Sequence, residues 1–284
     1  MSLKSQINYA EYKVMILGAG LGKRLSSVSD GLPKVMMPIA DKLPLLEHTI
    51  RLLKNQGFSQ FVINTHYFPE KIISYFGDGG RFGVGISYSD ETKFLLNTAG
   101  AIKKAAPSLS DTFLLLYGDI VHFVDFRPIL KFHEDKNSIL TIILNKTDDL
   151  QNVDIAEIHP ENNQIMKWYF RPHHIHELNS KLFANSGLYV ISKKVLDFIP
   201  QNVPKSLDSE IIPLIIESSE KLYGFVPLIG TKDIGSPERY ESAKQWYSKH
   251  KETGYTVWCS LFVSPVFFQV FTGRHASYSP YLPA

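Results

Sequence analysis

Two cations and two carboxylates are the residues of this chain whose types suit chemistry on phosphate groups. Arg24 and Lys34 lie near the N-terminus, just after a glycine-rich turn, whereas Asp119 and Asp233 lie much further along. Arginine offers a planar fork of N–H donors and lysine a compact charge, so the pair can bind a transferring phosphoryl group and a leaving pyrophosphate. Two carboxylates can hold the Mg²⁺ that accompanies a triphosphate. The residue types therefore predict a site for a nucleoside triphosphate.

The glycine-rich turn is the local feature that would bring a triphosphate close to the backbone. The apolar run 14–17 is typical of a buried strand, and Gly18, Gly20 and Gly22 follow it, ahead of Lys23. Glycines at such a point allow the backbone to approach a ligand and to turn its N–H groups toward phosphate. A tight strand-to-helix turn without any ligand is the structural alternative.

Two common phosphate loops do not fit this turn. A dinucleotide fingerprint needs a glycine where Lys23 stands, and a Walker A loop needs glycine in place of Leu17 and serine or threonine in place of Arg24. A dinucleotide oxidoreductase would also need an acidic ribose contact on a second strand. Asp41 is available by spacing, but the prolines around it, such as Pro38, disrupt that strand. The turn therefore indicates a phosphate loop of another kind.

The predicted metal carboxylates stand at the ends of strand-like segments. Asp119 follows an apolar strand at 113–117, with Gly118 leaving room for a ligand. A carboxylate in this position more often caps a helix than binds a metal. Because ligands of open α/β sheets bind at the carboxyl ends of strands, we expect Asp119 and the glycine turn at the same edge. Asp233, in a short segment before a helix, is the natural second ligand.

The order of predicted elements favours an α/β fold. Strands and helices alternate up to an apolar run at 138–144, as in a mixed, mostly parallel sheet flanked by helices. From Asp154 onward, short strands and polar loops favour a smaller antiparallel part that covers the ligand cleft. No linker separates the two parts, so we expect one continuous sheet. The predicted elements are strands at 61–64, 84–88, 113–117, 138–144, 155–158, 165–169, 188–191 and 222–226, and helices at 43–56, 70–76, 99–106, 126–134, 209–220 and 237–250.

Composition excludes several classes of function. Of the 284 residues, 44% are hydrophobic and 20% are charged, and a net charge of +2 without long runs of like charge argues against a nucleic-acid partner. A single cysteine, Cys259, excludes a disulfide framework. Residues 1–12 lack an apolar signal core, so we expect a cytoplasmic protein.

The segment 255–273 is uncharged and rich in aromatic residues. Polar residues and a proline interrupt it and it lacks flanking anchors, so we do not expect a membrane span. A tail that packs on the body of the protein, or on a partner such as a second copy in a homo-oligomer, fits its composition better.

Five motifs, in this order along the chain, carry a resemblance to a known family. They are LGAGLGKRL with the LPK that follows, TAGAI at 98–102, YGD at 117–119, NSGLY at 185–189 and DIGSPE at 233–238. Together they resemble the sugar-1-phosphate nucleotidyltransferases, along almost the whole chain to about Lys251. The resemblance implies a Rossmann-like nucleotide-diphospho-sugar transferase fold. It also implies one domain at 1–251, with a nucleotide-binding half at about 13–150, a sugar-binding half at about 151–251, and a tail of unknown structure at 252–284.

The resemblance implies an activity and a role for each site residue. A nucleoside monophosphate would pass from a triphosphate to a sugar 1-phosphate, with Mg²⁺ as cofactor and pyrophosphate as leaving group. Arg24 would stabilise the pyrophosphate, and Lys34 would bind the α-phosphate and the attacking phosphate. Asp119 and Asp233 would hold the metal. The implied nucleotide-binding residues are Leu17, Gly18, Ala19, Gly20, Gly22, Lys23, Asn97, Thr98, Ala99 and Gly100, and the implied sugar-phosphate-binding residues are Asp119, Glu157, Arg171, Asn185 and Gly187.

Three positions depart from the usual pattern of that family. Lys23 stands where threonine is common, Asn97 stands where glycine or glutamate is usual, and 170–172 read Phe-Arg-Pro where Glu-Lys-Pro is frequent. Arg171 keeps the positive charge of that lysine but not its geometry, so it is the candidate contact for the sugar phosphate.

The sequence leaves the substrates open. The segments 154–158, 168–173 and 196–200 are most similar to the branch of heptose-1-phosphate and mannose-1-phosphate guanylyltransferases, which favours GTP. The run 64–67 is also similar to N-acetylmuramate-1-phosphate uridylyltransferases, which leaves uridylyl transfer to that sugar or to a hexose 1-phosphate as an alternative. A regulatory protein that binds nucleotide sugars without turning them over is a third interpretation.

Several histidines have plain structural explanations. His66 follows a strand and could either pack or contact a base. His173, His174 and His176 lack a completing cysteine or carboxylate, so a solvated loop is favoured there over a metal site.

Overall fold

The computed structural model of the protein describes residues 7–147, 151–175 and 181–260, with the backbone alone from 252 onward. Nine strands within these ranges form one mixed sheet, and two pairs of short strands lie outside it. The strands are β1 Lys13–Leu17, β2 Pro38–Ala40, β3 Leu43–Pro44, β4 Gln60–Thr65, β5 Gly85–Asp90, β6 Thr112–Tyr117, β7 Ile120–Val121, β8 Leu140–Asn145, β9 Ile155–Ile158, β10 Ile165–Tyr169, β11 Leu182–Ser192, β12 Leu222–Phe225 and β13 Lys232–Asp233. The helices are α1 Leu45–Lys54, α2 Pro69–Phe76, α3 Asn97–Ala105, α4 Phe126–Asp135, α5 Ile212–Glu217 and α6 Pro237–Ser260.

The sheet has a parallel part and an antiparallel part joined by β11. Strand β1 lies between β4 and β6 and is parallel to both, and β5 extends this part at one edge. Strand β11 is antiparallel to β6, and it also pairs with β8 and β9. Its first residues pair with β9 and its last residues with β6, so one strand connects the two parts. The predicted mixed α/β sheet with flanking helices is confirmed, and it is continuous.

The central strands are buried on both faces, which explains their unbroken apolar sequence. Val14, Met15 and Ile16 in β1 are all fully buried. Met15 points into a core that contains α3 and α5, whereas Val14 and Ile16 point into a second core that contains α1, α2 and α4. Successive side chains of a strand alternate between faces, so one apolar run supplies both cores.

Two predicted helices begin or end elsewhere, and one predicted strand is longer. The helix predicted at 43–56 begins at Leu45, because Leu43–Pro44 pairs as β3 with β2. The helix predicted at 209–220 is a π-helical turn, Leu207–Ile211, followed by α5. The strand predicted at 188–191 extends over the whole of β11, because the polar segment Asn-Ser-Gly stays in the sheet through a register shift at which Gly187 takes a φ of 75°.

The C-terminal helix α6 continues past the predicted end at residue 250. Within the described ranges, no helix is both long and apolar enough to cross a membrane. Most of the segment 255–273 lies outside the described residues, as does the remainder of the tail. The proposed division of 1–251 into two halves stays a prediction.

Gly118 lies where β6 leaves the sheet, and we expect its replacement by alanine to destabilise the protein. A Cβ at this position would lie 2.6 Å from the Leu17 carbonyl oxygen and 2.6 Å from Val35 Cγ1. Backbone cannot yield as a flexible side chain can, so Gly118→Ala should lower the free energy of unfolding by about 1–3 kcal/mol. Gly20→Ala is the matched control, because a Cβ there meets nothing within 4 Å. Equal urea midpoints for the two variants would contradict this expectation.

Candidate active site

A cavity of about 570 Å³ opens at the carboxyl ends of β1 and β6, beside the glycine turn. The predicted edge of the sheet is therefore where the structure has its cavity. Its lining comes from the glycine turn, from the segments that follow it, and from the ends of neighbouring strands. These residues are Leu17, Gly18, Ala19, Gly20, Leu21, Gly22, Lys23, Arg24, Leu25, Lys34, Val35, Asn64, Glu91, Leu95, Asn97, Thr98, Tyr117, Asp119, Ser206 and Gly235.

The side chain of Asn64, in β4, anchors the start of the glycine turn. Asn64 Oδ1 accepts a hydrogen bond of 2.7 Å from the Gly18 N–H. The same asparagine donates through Nδ2 to Glu91 Oε1 at 2.8 Å. Gly22 has a φ of 59°, a left-handed conformation that favours glycine, and it begins the short 3₁₀ turn that carries Lys23 and Arg24. The turn is thus fixed at both ends while its backbone faces the cavity.

Lys34 and Asp119 meet at the wall of this cavity. Lys34 opens a 3₁₀ turn after Pro33, and its Nζ forms an ion pair with Asp119 Oδ2. The two side chains are 14% and 28% exposed, so the pair is open to a ligand but largely shielded from solvent. The predicted phosphate-binding lysine and the predicted metal carboxylate therefore belong to one site.

Arg24 reaches the same site as Lys34 and Asp119. Its Nη2 atom lies 3.8 Å from the point where a Cβ on Gly235 would be, so the guanidinium lies beside the loop that carries Asp233. Arg24 and Gly235 both line the cavity. Arg24 and Lys34 therefore both border this cavity.

Asp233 is brought to Asp119 by pairing between short strands. Strand β13 is antiparallel to β7, with Asp233 opposite Ile120, and the Ile234 N–H donates to the Asp119 carbonyl oxygen at 3.0 Å. Asp233 Oδ1 accepts a hydrogen bond of 2.8 Å from the Gly235 N–H. Arg239 Nη1 lies 3.2 Å from Oδ1 and 3.1 Å from Oδ2 of the same carboxylate. The two predicted metal ligands are thus neighbours across a two-stranded ladder, although Asp233 does not itself line the cavity.

The nucleotide-binding residues predicted at the start of α3 divide into two groups. Asn97 and Thr98 line the cavity. Asn97 has a φ of 57°, in the left-handed region that asparagine enters more readily than most residues, which explains how it replaces glycine. Ala99 and Gly100 are buried behind them, and the N–H groups of both donate to the Lys205 carbonyl oxygen.

Of the predicted sugar-phosphate residues, Asp119 lines this cavity, whereas Asn185, Gly187, Arg171 and Glu157 do not. Asn185 uses its side chain internally: Oδ1 accepts from the Gly187 N–H at 3.0 Å, and Nδ2 donates to Tyr189 and Asp208. Gly187 packs against the ring of Tyr117, since a Cβ there would lie 3.1 Å from Tyr117 Cδ2. Tyr117 in turn lines the cavity. The strand that carries Asn185 and Gly187 therefore borders the site through one aromatic ring.

Arg171 and Glu157 have protein partners in this structure. Arg171 Nε donates to Asp154 Oδ1 at 2.8 Å, and its Nη1 donates to the Asn152 carbonyl oxygen at 2.6 Å. Asp154 is 4% exposed, so the arginine neutralises a buried carboxylate. Glu157 accepts a hydrogen bond of 2.9 Å from the Tyr169 hydroxyl. Contacts of Arg171 and Glu157 with a sugar phosphate stay predictions.

Asp208 is a residue beside the site that the sequence analysis missed. The hydroxyls of Tyr117 and Tyr189 both donate to it, and Asn185 Nδ2 lies 3.0 Å from its Oδ1. Burial raises the pKa of this carboxyl, and its hydrogen bonds from the tyrosines oppose that shift. Asp208 thereby links Tyr117, which lines the cavity, to Tyr189 of β11. Its sequence context, an acidic residue just before the helix predicted at 209–220, gives no sign of this role.

Asn64 and Glu91 were also missed, although a usable signal existed. Asn64 lies near the end of β4, and Glu91 follows β5 directly. Both strands are parallel to β1, so the rule that placed Asp119 at the ligand edge applied to them as well.

The histidines are less informative. His66 Nδ1 lies 2.8 Å from the Glu91 carbonyl oxygen, and His173 Nε2 lies 3.0 Å from the Val153 carbonyl oxygen. His176 lies outside the described residues.

Comparison with known proteins assigns the family. The profile of the nucleotidyl transferase family matches residues 13–250. The chain belongs to the nucleotidyl transferase family. This nucleotidyl transferase is 32% identical over 243 residues to a UTP–glucose-1-phosphate uridylyltransferase of Synechocystis sp., a match that covers 81% of this chain and 62% of the relative. It is 30% identical over 234 residues to the D-glycero-alpha-D-manno-heptose 1-phosphate guanylyltransferase of Aneurinibacillus thermoaerophilus, covering 82% of this chain and 97% of the relative.

Solved structures have a similar fold. The crystal structure of HddC from Yersinia pseudotuberculosis has a TM-score of 0.69 and 27% identity to this nucleotidyl transferase, covering 83% of this chain and 99% of that one. A second crystal structure of HddC, in complex with GMP-PN, has a TM-score of 0.68. The chain spans less than two thirds of the length of several curated relatives, such as 62% of the Synechocystis protein.

The two carboxylates beside this cavity fit a magnesium ion. Asp119, just before β7, and Asp233, opposite Ile120 in β13, offer the hard oxygen atoms that Mg²⁺ prefers. In the described part of the chain, no group of three or more histidine, cysteine, aspartate or glutamate residues could hold a metal by itself. Magnesium typically binds through one or two carboxylates and completes its shell with water and substrate phosphate. A site with two carboxylates beside this cavity agrees with that preference.

Proposed function

We propose that this chain transfers a nucleoside monophosphate from a nucleoside triphosphate to a sugar 1-phosphate and releases pyrophosphate. The main support for the proposal is the ion pair between Lys34 and Asp119, in a cavity that the glycine turn and Arg24 also line. Nucleotidyl transfer needs fixed positive charge and alignment more than covalent chemistry from the protein. The family match supports the reaction class.

Each part of the cavity has a task in this reaction. The backbone of the glycine turn and Lys23 bind the triphosphate, and Arg24 stabilises the leaving pyrophosphate. Lys34 binds the α-phosphate and the attacking phosphate. A bond forms from a phosphate oxygen of the sugar 1-phosphate to the α-phosphorus, and the bond from the α-phosphorus to the bridging oxygen of the pyrophosphate breaks. That attacking oxygen is already ionised at neutral pH, so the chain needs no general base.

The metal and its ligands complete the charge balance. When bound, Mg²⁺ supplies positive charge to the phosphate oxygens. Asp119 and Asp233 would hold it, since Asp119 lines the cavity and the short pairing between β7 and β13 brings Asp233 close to it.

Guanine is the base we propose, on the basis of Glu91. Glu91 lines the cavity and is 1% exposed; Asn64 Nδ2 donates to its Oε1 and the Leu96 N–H donates to its Oε2 at 2.9 Å. Each oxygen keeps a lone pair for a further donor. Guanine presents two adjacent donors, N1–H and N2–H₂, whereas uracil and thymine present one donor between two acceptors. The complex of HddC with GMP-PN supports this choice.

A heptose 1-phosphate or mannose 1-phosphate is the acceptor we propose. The Aneurinibacillus relative that supports the heptose is matched over 97% of its length. Uridylyl transfer to a hexose 1-phosphate, or to N-acetylmuramate 1-phosphate, is the second candidate. Of these two acceptors, the Synechocystis relative, a UTP–glucose-1-phosphate uridylyltransferase at 32% identity, favours hexose 1-phosphate.

Pyrophosphate release from a panel of five triphosphates and several sugar 1-phosphates, with Mg²⁺, tests the proposal. We expect GTP with heptose 1-phosphate or mannose 1-phosphate to be turned over fastest. Absence of turnover with every pair, on folded protein that binds GTP, would instead support a regulatory nucleotide-sugar-binding protein.

Glu91→Gln tests the base. An amide can pair with uracil but cannot accept both guanine donors, so the ratio of kcat/KM for GTP to that for UTP should fall about tenfold to a hundredfold. The exposed Glu161→Gln is the matched control, since it makes the same chemical change on the surface. An unchanged ratio in Glu91→Gln would remove Glu91 from base recognition while leaving the transfer reaction itself intact.

A further inference from the structure

Both carboxylates of the proposed metal site already have a cationic partner in the protein. Asp119 is paired with Lys34, and Asp233 is paired with Arg239. Lys34 is expected near a phosphate, so its position has an explanation in the reaction. Arg239 has none so far, because none of the motifs assigned it a role and it does not line the cavity.

The ion pair between Arg239 and Asp233 places a positive charge beside the carboxylate oxygens with which Asp233 would bind a metal. One guanidinium nitrogen, Nη1, lies within hydrogen-bonding distance of both carboxylate oxygens, at 3.1 and 3.2 Å. The Gly235 N–H occupies another lone pair of Oδ1 at 2.8 Å. A divalent ion that binds Asp233 needs one of these oxygens, and two positive charges at such a distance repel each other.

Arg239 is also placed for this contact by its own backbone. It lies in the first turn of α6, where its N–H faces Ser236 Oγ at 3.3 Å, and only the loop 234–236 separates that helix from Asp233. The arginine and aspartate side chains are 33% and 35% exposed, so the pair can open without disturbing a core.

We propose that Arg239 is a positioning residue that competes with the metal ion for Asp233. In the metal-free protein it holds the carboxylate in place and neutralises it. Metal binding displaces the guanidinium, so the protein has a lower affinity for free metal than its carboxylates alone would give. This inference rests on the proposed metal-dependent reaction. It concerns the affinity for the metal ion, so it is tested without measuring turnover.

Binding of Mn²⁺ alone, followed through the EPR signal of the free ion, tests the inference. Arg239→Gln should tighten Mn²⁺ binding about threefold to fivefold relative to wild type, the size expected for removal of one partly exposed ion pair. Lys232→Gln is the matched control: it removes one positive charge next to Asp233 in sequence, from an exposed side chain. Screening by solvent should keep its effect below about 1.5-fold.

A second background separates competition at Asp233 from other effects of the arginine. With Asp233→Asn in place, Arg239→Gln should leave the residual Mn²⁺ affinity unchanged. Equal tightening by Arg239→Gln and Lys232→Gln would mean a general charge effect, and unchanged or weaker binding in Arg239→Gln would mean no competition. Either result overturns the inference, whereas failure of the proposed function would show in the turnover panel of the wild type.

Discussion

Lys34→Ala is expected to lower kcat/KM about 100-fold to 1,000-fold, because a fixed charge at the transferring phosphate acts mainly in the transition state. The same substitution should change the free energy of unfolding by no more than about 1 kcal/mol. Lys34 contacts Asp119 at the cavity wall, and Asp119 is 28% exposed, so water can replace the lost partner.

Steady-state kinetics and urea unfolding, measured on the same preparation, check both halves of this expectation. Lys42→Ala is the matched control, since Lys42 is exposed in the turn between β2 and β3. We expect that variant to keep wild-type kinetics. Near-wild-type activity in Lys34→Ala would mean that the lysine does not act on phosphate. A loss of activity accompanied by unfolding would mean that its role is structural.

Acidification to pH 5 is expected to destabilise the protein through two buried histidines. His48 in α1 and His122 after β7 are 1% and 0% exposed. Burial lowers the pKa of His48 to about 4 and that of His122 to about 3, from an ordinary 6.5. His48 Nε2 lies 3.0 Å from the His122 carbonyl oxygen, and both rings pack among aromatic side chains.

The sign of the effect follows from proton counting. Between pH 6.5 and 4 the unfolded chain binds protons at both histidines, and the folded chain does not. The stabilising contribution of the neutral rings is therefore complete above pH 6.5 and is lost as the pH falls toward the folded pKa values. At pH 5 each histidine should cost about 2 kcal/mol of unfolding free energy relative to neutral pH.

Urea unfolding at pH 7 and pH 5 measures this loss. His48→Gln should reduce the difference between the two pH values by about 2 kcal/mol, whatever its own effect on stability. His174→Gln serves as the control, since His174 is exposed and its replacement should leave the difference unchanged. A pH dependence in His48→Gln equal to that of wild type would mean that His48 is charged in the folded protein.

The parts of the site that the sequence predicted are those set by local chain geometry. The glycine turn and Asp119 each follow an apolar run, and such runs form parallel strands whose ends meet at one edge. Lys34 follows Pro33 closely after the turn, so the chain has little freedom to carry it away. Residue type and neighbouring sequence were sufficient for these positions.

The remaining parts depend on partners that are distant in the chain. Asp208 accepts hydrogen bonds from Tyr117 of β6 and Tyr189 of β11 because these two strands are adjacent, and no pattern near residue 208 indicates that. Arg171 was assigned to the sugar phosphate by the resemblance, in which it replaces a lysine; in this structure it pairs with the buried Asp154, and its contact with a substrate stays a prediction. Partner choice among charged residues follows from packing across the sheet, which a single sequence does not contain.

Strand β11 links the two parts of the sheet and limits which parts of this chain can be changed without moving the others. Because β11 is hydrogen-bonded to β6, main-chain geometry sets the distance from Tyr117 to Asn185 and Gly187. The segment 159–164 between β9 and β10, and residues 170–175 after β10, lie outside the strands of the sheet. Within the proposed reaction, we expect changes in the length and composition of these segments to alter the choice of sugar, while the edge of the sheet at Gly18 and Asp119 keeps its position. Redesign of acceptor specificity should therefore begin in those connecting segments and leave the strands untouched.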